Sequence, residues 1–390
     1  HIQDDEMEDA KKHIDAALAV NPNHLDALAM LAFYHQDLKQ KDLEQAVEKR
    51  VLAINPTHAE YYCALGELME SKRVFNEAAP YYRKAIALDP AYWKGHYGLG
   101  MNTSRQGACG EEEGKRLLLK AFEMNRFNLW ASNMVKALDK IIGDAEQQVA
   151  PVYGASQTDN FTVKFHSKET GVIRPYLEEW AESARAGQAK LFGFEPQGPL
   201  TIEVLFSFQD QAARTVGVPN LGALGVCFGK LCTLVSPREG RSGQPPFNWR
   251  RVLEHEFAHV MALQLSEFRV PRWYTEGMST YIEDDSRLNT DQMMVNALAK
   301  GQLKPIEKIN EYFRENPLMA YVHGRYIIEY IHKTFGFQAH TRALRLFAQG
   351  RKVESVLPEV TGKTLAELNA AQLEYVRQFY SRVRLLPTYD

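Results

Sequence analysis

The sequence predicts an all-helical repeat array followed by an α+β domain. Three observations carry that prediction. A proline recurs every 34 residues, at Pro22, Pro56 and Pro90, each time behind an amphipathic helical pattern. The helical period then fails over residues 144–160, DAEQQVAPVYGASQTDN, where Pro, Gly and Ser enter. Beyond that stretch, short strand-like segments precede long helical ones, the order of an α+β fold. At 390 residues, 45% hydrophobic and 24% charged, the chain has room for two or more domains.

Charge and composition exclude several classes. The net charge is −3, and no Lys/Arg stripe with interleaved aromatics is present, so no nucleic-acid partner is expected. No apolar run reaches the ~18 residues of a transmembrane helix, so no membrane-spanning segment is expected. The four cysteines, Cys63, Cys109, Cys227 and Cys232, form no CxxC pair, which argues against a cysteine zinc site. The chain opens at His1 rather than Met and reads as a fragment or processed product. Exported and cytoplasmic locations both stay open.

The repeat comes first. AVNPNH, AINPTH and ALDPAY mark three copies, and AFEMNRF a fourth, without the proline, after the insertion GACGEEEG. A helical pattern lies on each side of every proline. A 34-residue period of paired helices resembles the tetratricopeptide repeat. Ala27, Ala53 and Ala87 would let paired helices approach closely, and the proline separates one helix from the next. Pro80 falls early in a helix, where its cost is reduced. Residues 1–21 supply a single helix of a pair, so further repeats are expected upstream. Residues 127–143 read as a capping helix, which places the array at 1–143 and a linker at 144–160. The resemblance implies a concave surface that binds a peptide or protein partner.

The α+β domain is expected over 161–390. FTVKFH alternates as a strand, 173–192 form a long helix, LTIEVLF reads as a buried strand, and GVCFGKLCTLVSP as one or two more. Strands thus fall within 161–237, two helices within 248–285, and a helical remainder over 290–385.

The chemistry sits at HEFAH, residues 255–259. Residues four apart share a helix face, so His255 and His259 project together and could share one metal ion. Glu256 is turned about 100° from His255 and is free to serve as a base toward water that the metal activates. Leu253, Phe257, Ala258, Val260, Met261 and Leu263 make the helix apolar nearly all round. Buried histidines and glutamates are costly without partners, and a metal supplies one. A catalytic zinc needs a third protein ligand and one open position. In RVPRWYTEGMSTYIEDD, Pro271 starts a second helix. A reversal at 266–270 would lay that helix antiparallel to the first and return Glu276 to the histidines, with Gly277 permitting a close approach. Asp284 and Asp285, near the helix end, are the alternatives.

These motifs resemble the gluzincin metallopeptidases, and most closely the peptidase MA-like group found fused to tetratricopeptide repeats. The likeness spans roughly 161–350, with sharp motifs at 255–259, 273–283 and 321–335. It implies a zincin-like (gluzincin) fold, Zn2+ held by His255, His259 and Glu276, and Glu256 as catalytic base. AYVHGRYIIEYIHKTFG, residues 320–336, is similar to a Tyr-x-x-Gly helix whose tyrosine donates to the tetrahedral oxyanion, which assigns that role to Tyr321. His323 is the rival donor; two positions on a helix are about 200° apart, so both cannot face the metal. Arg325, four after Tyr321, shares its face and could hold substrate or transition state. Tyr321 as an ordinary core tyrosine is the structural alternative.

One departure matters. Aminopeptidases of the related family grip the substrate amine with a glutamate on a Gly-x-Met-Glu-Asn strand. The matching region, NLGALGVCFGKLCTLVSP, has no glutamate between Asn220 and Pro237, which favours an endopeptidase. A substrate could lie along LCTLVSP as an added strand. Cys227 and Cys232 would oppose each other across a Gly229-Lys230 turn; a disulfide is geometrically open, and two small buried hydrophobes are the plainer reading. The sequence therefore reads as a zinc metallopeptidase behind a repeat array that recruits substrate or partner. The opposing reading is a repeat-based interaction module with a catalytically inactive zinc-binding domain.

Overall fold

A computed structural model of the chain describes residues 7–218, 221–241, 247–283 and 288–381. Two compact units emerge. One holds the chain up to Ala186 together with Pro196–Val260; the other holds Gly187–Glu195 and the chain from Met261 onward. The N-terminal helices and the sheet fall in one unit; the cuts after Ala186 and after Val260 fall inside continuous helices, and the cut after Glu195 falls in the chain that leads to the sheet.

The first unit opens with eight helices: α1 (Met7–Val20), α2 (Leu25–Asp37), α3 (Lys41–Ile54), α4 (Ala59–Ser71), α5 (Phe75–Leu88), α6 (Trp93–Ser104), α7 (Glu111–Met124) and α8 (Leu129–Ile142). The span 127–143 contains α8, and Pro80 lies within α5. Helices α2, α4 and α6 pack on one another in a row, with α3, α5 and α7 beside them. The recurrent turns have one construction. Asn21, Asn55, Asp89 and Asn125 each accept, through a side-chain oxygen, the backbone N–H two residues on, at 3.0, 3.1, 2.9 and 3.2 Å. Such Asx turns reverse the chain on their own. Proline presets the next residue in three copies, and the fourth turns without it, carrying Arg126 instead.

Part of the expected linker is sheet. Strand β1 (Tyr153–Gln157) pairs antiparallel with β2 (Phe161–His166), from Tyr153 opposite His166 to Gln157 opposite Thr162. Tyr153 is buried and its hydroxyl accepts the Phe206 N–H at 2.9 Å, while the rest of YGASQ is partly exposed. A strand so poor in large apolar residues leaves no alternation to read. Helix α9 (Thr170–Phe192) then crosses over to β3 (Leu200–Leu205), and α10 (Phe208–Val216) leads toward β4 (Gly225–Cys227) and β5 (Leu231–Val235). Helix α10 was not anticipated; Ser207 caps its start and Gly217, at φ 73°, ends it. The order is β1-β2-β3-β5-β4, with β2, β3 and β5 parallel and both outer strands antiparallel.

The N-terminal helices and the sheet meet through buried charge. Lys164 of β2 pairs with Glu111 of α7, and Arg214 of α10 with Glu203 of β3 at 2.9 Å. Arg214 also donates to the Ser104 carbonyl, and Arg105 to the Thr215 carbonyl, each at 3.0 Å. Burial pushes the Glu203 carboxyl up to about 7 despite Arg214 beside it. Burial acts the same way on Glu111, but Lys164 and Arg214 outweigh it and hold that carboxyl below its usual range.

Helix α11 (Trp249–Leu265) runs from the first unit into the second. The second unit continues with α12 (Arg272–Glu283), α13 (Leu288–Ala299), α14 (Tyr312–Glu315), α15 (Pro317–Phe335), α16 (Phe337–Phe347), α17 (Val353–Thr361) and α18 (Leu365–Ser381). The centre of this unit is α15, packed against α12, α16 and α18. Among the described residues, no helix is long and apolar enough to cross a membrane.

Candidate metal centre

Helix α11 forms because its ends are anchored and its faces buried. Asn248 accepts the Arg251 N–H at 3.3 Å, and the Trp249 indole donates to the Val235 carbonyl at the end of β5, at 2.9 Å. Leu253, Phe257, Ala258 and Val260 are buried, and Phe257 meets Phe161 of β2 with ring centroids 6.1 Å apart. His255 and His259 stand one turn apart on one face, with ring centroids 5.0 Å apart.

The reversal at 266–270 is present. Phe268 N–H donates to the Leu263 carbonyl at 2.7 Å, and Ser266 Oγ accepts the Val270 N–H at 3.2 Å. Glu267 and Phe268 both adopt left-handed backbone, at φ 48° and 64°, which is costly for residues other than glycine. Helix α12 follows Pro271, and Asn310 Oδ1 accepts the Trp273 N–H at its start, at 3.1 Å. One ligand atom each from His255, His259 and Glu276 lie within 4.8 Å of one another. His259 and Glu276 are buried, and His255 is partly exposed. Two imidazoles and a carboxylate that converge this closely fit a metal ion of zinc type. Asp284 and Asp285 lie outside the described residues, as does Asn220.

Three features that the sequence reading missed lie on or against the helices that carry this group. The first is Gly225 on β4: a Cβ there would lie 2.5 Å from Glu256 Oε1 and 2.6 Å from its Cγ, so the strand reaches the carboxylate because position 225 has no side chain. An isolated glycine in a strand was the available signal. The second and third are tyrosine–histidine bonds from α12. Tyr274 hydroxyl meets His340 Nδ1 at 2.6 Å, and Tyr281 hydroxyl meets His332 Nδ1 at 2.9 Å. His340 Nε2 contacts the Ile328 carbonyl at 3.1 Å; it must be the donor there, which makes Tyr274 the donor to Nδ1.

A family model for the Peptidase MA superfamily matches residues 181–378, half of the chain. This chain belongs to the peptidase MA superfamily. Comparison with curated proteins finds no match. At the coarse level the family supports a peptidase-like hydrolase. The matched span of this peptidase MA chain contains every candidate residue, from His255 to Arg325, and leaves α1–α8, β1 and β2 outside it.

The remaining candidates of this peptidase MA chain lie on α15. Gly277 of α12 meets Gly324 of α15: a Cβ on Gly277 would stand 2.5 Å from the Gly324 carbonyl carbon. The crossing therefore sits beside Glu276 on one helix and one turn after Tyr321 on the other. Tyr321 is half-buried, edge-on to Phe313 with centroids 6.0 Å apart. His323 is fully buried, with Nε2 3.4 Å from Gln372 Oε1 of α18, and burial lowers its pKa to about 4. Arg325 is buried as well. The LCTLVSP segment is not a sheet edge: β5 is paired with β3 on one side and β4 on the other, so it offers no ladder to an added strand. On that side of the sheet, among the described residues, β4 is the terminal strand. A cavity of about 500 Å³ in the second unit, lined by Met293, Lys304, Tyr312 and Met319 among others, contains none of these candidates.

Proposed function

We propose that this chain is a zinc-dependent metallopeptidase of the gluzincin type, acting as an endopeptidase, with helices α1–α8 serving as a tetratricopeptide-type surface for a protein partner or substrate. The convergence of His255, His259 and Glu276 carries the reading. A bound Zn2+ would supply Lewis-acid activation of water and of the scissile carbonyl. The two imidazoles and the Glu276 carboxylate would hold it. Glu256, buried beside Gly225, would take a proton from the attacking water and deliver it to the leaving nitrogen. Tyr321 would donate its hydroxyl hydrogen bond to the oxyanion, and Arg325 would steady the substrate from the same face of α15. Buried His323, turned to Gln372, fits a packing role better than that of a donor. An extended peptide would pair with β4, next to Glu256. Positions 221–237 carry no glutamate, so nothing there is suited to gripping a free amine.

Metal content and cleavage of a diverse peptide library test this together. Wild type should hold one zinc per chain and cleave internal bonds. Glu256→Gln should retain zinc and lose at least ~100-fold in rate. His255→Ala should lose the metal. Zinc-loaded wild type that cleaves nothing would leave the work to the helical region as an interaction module.

A further inference from the structure

The β4–β5 hairpin carries two cysteines that the proposed hydrolysis leaves unused. Cys227 and Cys232 are direct partners across it. Their position in the ladder follows from the bonds around them. Phe228 N–H donates to the Leu231 carbonyl, and Val235 N–H to the Leu224 carbonyl, both at 2.8 Å. Hydrogen-bonded and non-hydrogen-bonded pairs alternate along an antiparallel ladder. The bonded pairs here are thus 228 with 231, 226 with 233 and 224 with 235, and 227 with 232 is a non-bonded pair. Such pairs bring Cα atoms to about 4.5 Å, inside the ~4.4–6.8 Å that a disulfide spans. Directly opposed side chains also leave the sheet on the same face.

Both thiols are free and buried, at 5% and 3% exposure. Gly229 N–H donates to Cys227 Sγ at 3.3 Å, and Cys232 Sγ donates to the Glu256 carbonyl at 3.8 Å. The other two cysteines sit elsewhere, Cys63 on α4 and Cys109 in the turn before α7.

We propose that Cys227 and Cys232 are a disulfide site, closed across the hairpin by exchange with a small disulfide of the glutathione class. The Cys227 thiolate attacks one sulfur of that donor, forms a mixed disulfide and expels one donor thiolate. The Cys232 thiolate then attacks Cys227 Sγ and expels the second. The protein gives up two electrons, the donor disulfide is reduced to two thiols, and the two cysteine protons pass to them. Burial sets the timing. Once the hairpin is packed neither sulfur meets solvent, so the bond closes while the hairpin is open and is protected afterwards. The link ties the strand two residues from Gly225, and the site stands whether or not the chain hydrolyses peptides.

Lys230 lies between the two cysteines, so trypsin separates them. The chain would be refolded from denaturant in mixed reduced and oxidised glutathione, the folded fraction isolated, its free thiols alkylated, and the digest mapped by mass spectrometry. The expected product joins peptides 215–230 and 231–238, falls apart on reduction, and survives when the folded protein meets reductant before digestion. Cys227→Ser should leave 231–238 unlinked. Folded wild type that yields both peptides separately alkylated, or either cysteine joined to Cys63 or Cys109, would overturn the proposal.

Discussion

A hydrogen atom at position 225, where any other residue carries at least a methyl group, decides how near β4 comes to Glu256. The obstructed atoms are the end of a flexible carboxylate side chain, not backbone. Gly225→Ala should therefore spare the fold and move the carboxylate. A shift of about 1 Å at a reacting group costs on the order of 100-fold in rate. On the proposed mechanism the variant keeps its metal binding and its melting temperature while kcat falls by about that much; an unchanged kcat would mean the carboxylate does not work from this position. Residue chemistry was legible where one helix carried it. The spacing of His255, Glu256 and His259 fixes their directions without any tertiary knowledge. Gly225 was not legible, because its partner is 31 positions away and on a different element.

Helices α12 and α15 present the opposite case. The atom facing Gly277 is a backbone carbon of Gly324, which cannot turn aside. Gly277→Ala should force the helices apart at the residue next to Glu276. Overpacking of this kind costs about 1–3 kcal/mol, and the displaced carboxylate should bind metal more weakly. Thermal unfolding and a chelator competition would show both effects; wild-type values in either would mean the crossing is looser than it stands. At this scale the sequence was most readable where periodicity was strong. The N-terminal helices, the long helix α9 and the two helices around HEFAH and Glu276 fall close to their expected spans. Strand β1 and helix α10 did not announce themselves: one is short and half-exposed, the other is nine residues long. The place of β5 between β3 and β4 depends on strand order, which hydrophobic pattern does not encode.

Over the molecule as a whole, the linker expected from composition turned out to contribute a strand, and the N-terminal helices share their compact unit with the sheet. No local pattern could reveal the pairing of Lys164 with Glu111, residues far apart in sequence that are costly to bury alone. Buried titratable groups also give the whole chain a pH response. Burial lowers His323 to about 4 and His340 to about 3, both from an ordinary value near 6.5. Below that ordinary value the unfolded chain takes up protons that the folded chain refuses. Their contribution is complete above pH 6.5 and drains away as pH falls toward 4 and 3, by about 1.4 kcal/mol per pH unit for each histidine. Unfolding measured from pH 7 to pH 5 should show wild type losing stability more steeply than a His323→Asn/His340→Asn variant; equal slopes would refute the assignment.

The four matching Asx turns bear on the order in which such a chain can assemble. Each closes between residues two apart, so forming it sacrifices little chain entropy, and each leaves two helices ready to meet. The parallel strands ask far more: Phe161 must find Leu200 and Thr201 must find Leu231, across loops of about thirty residues or more. Contacts that are near in sequence form early and distant ones late. By that logic the helical region is the template: Glu111 is already in place when β2 brings Lys164, and Arg105 when α10 brings the Thr215 carbonyl.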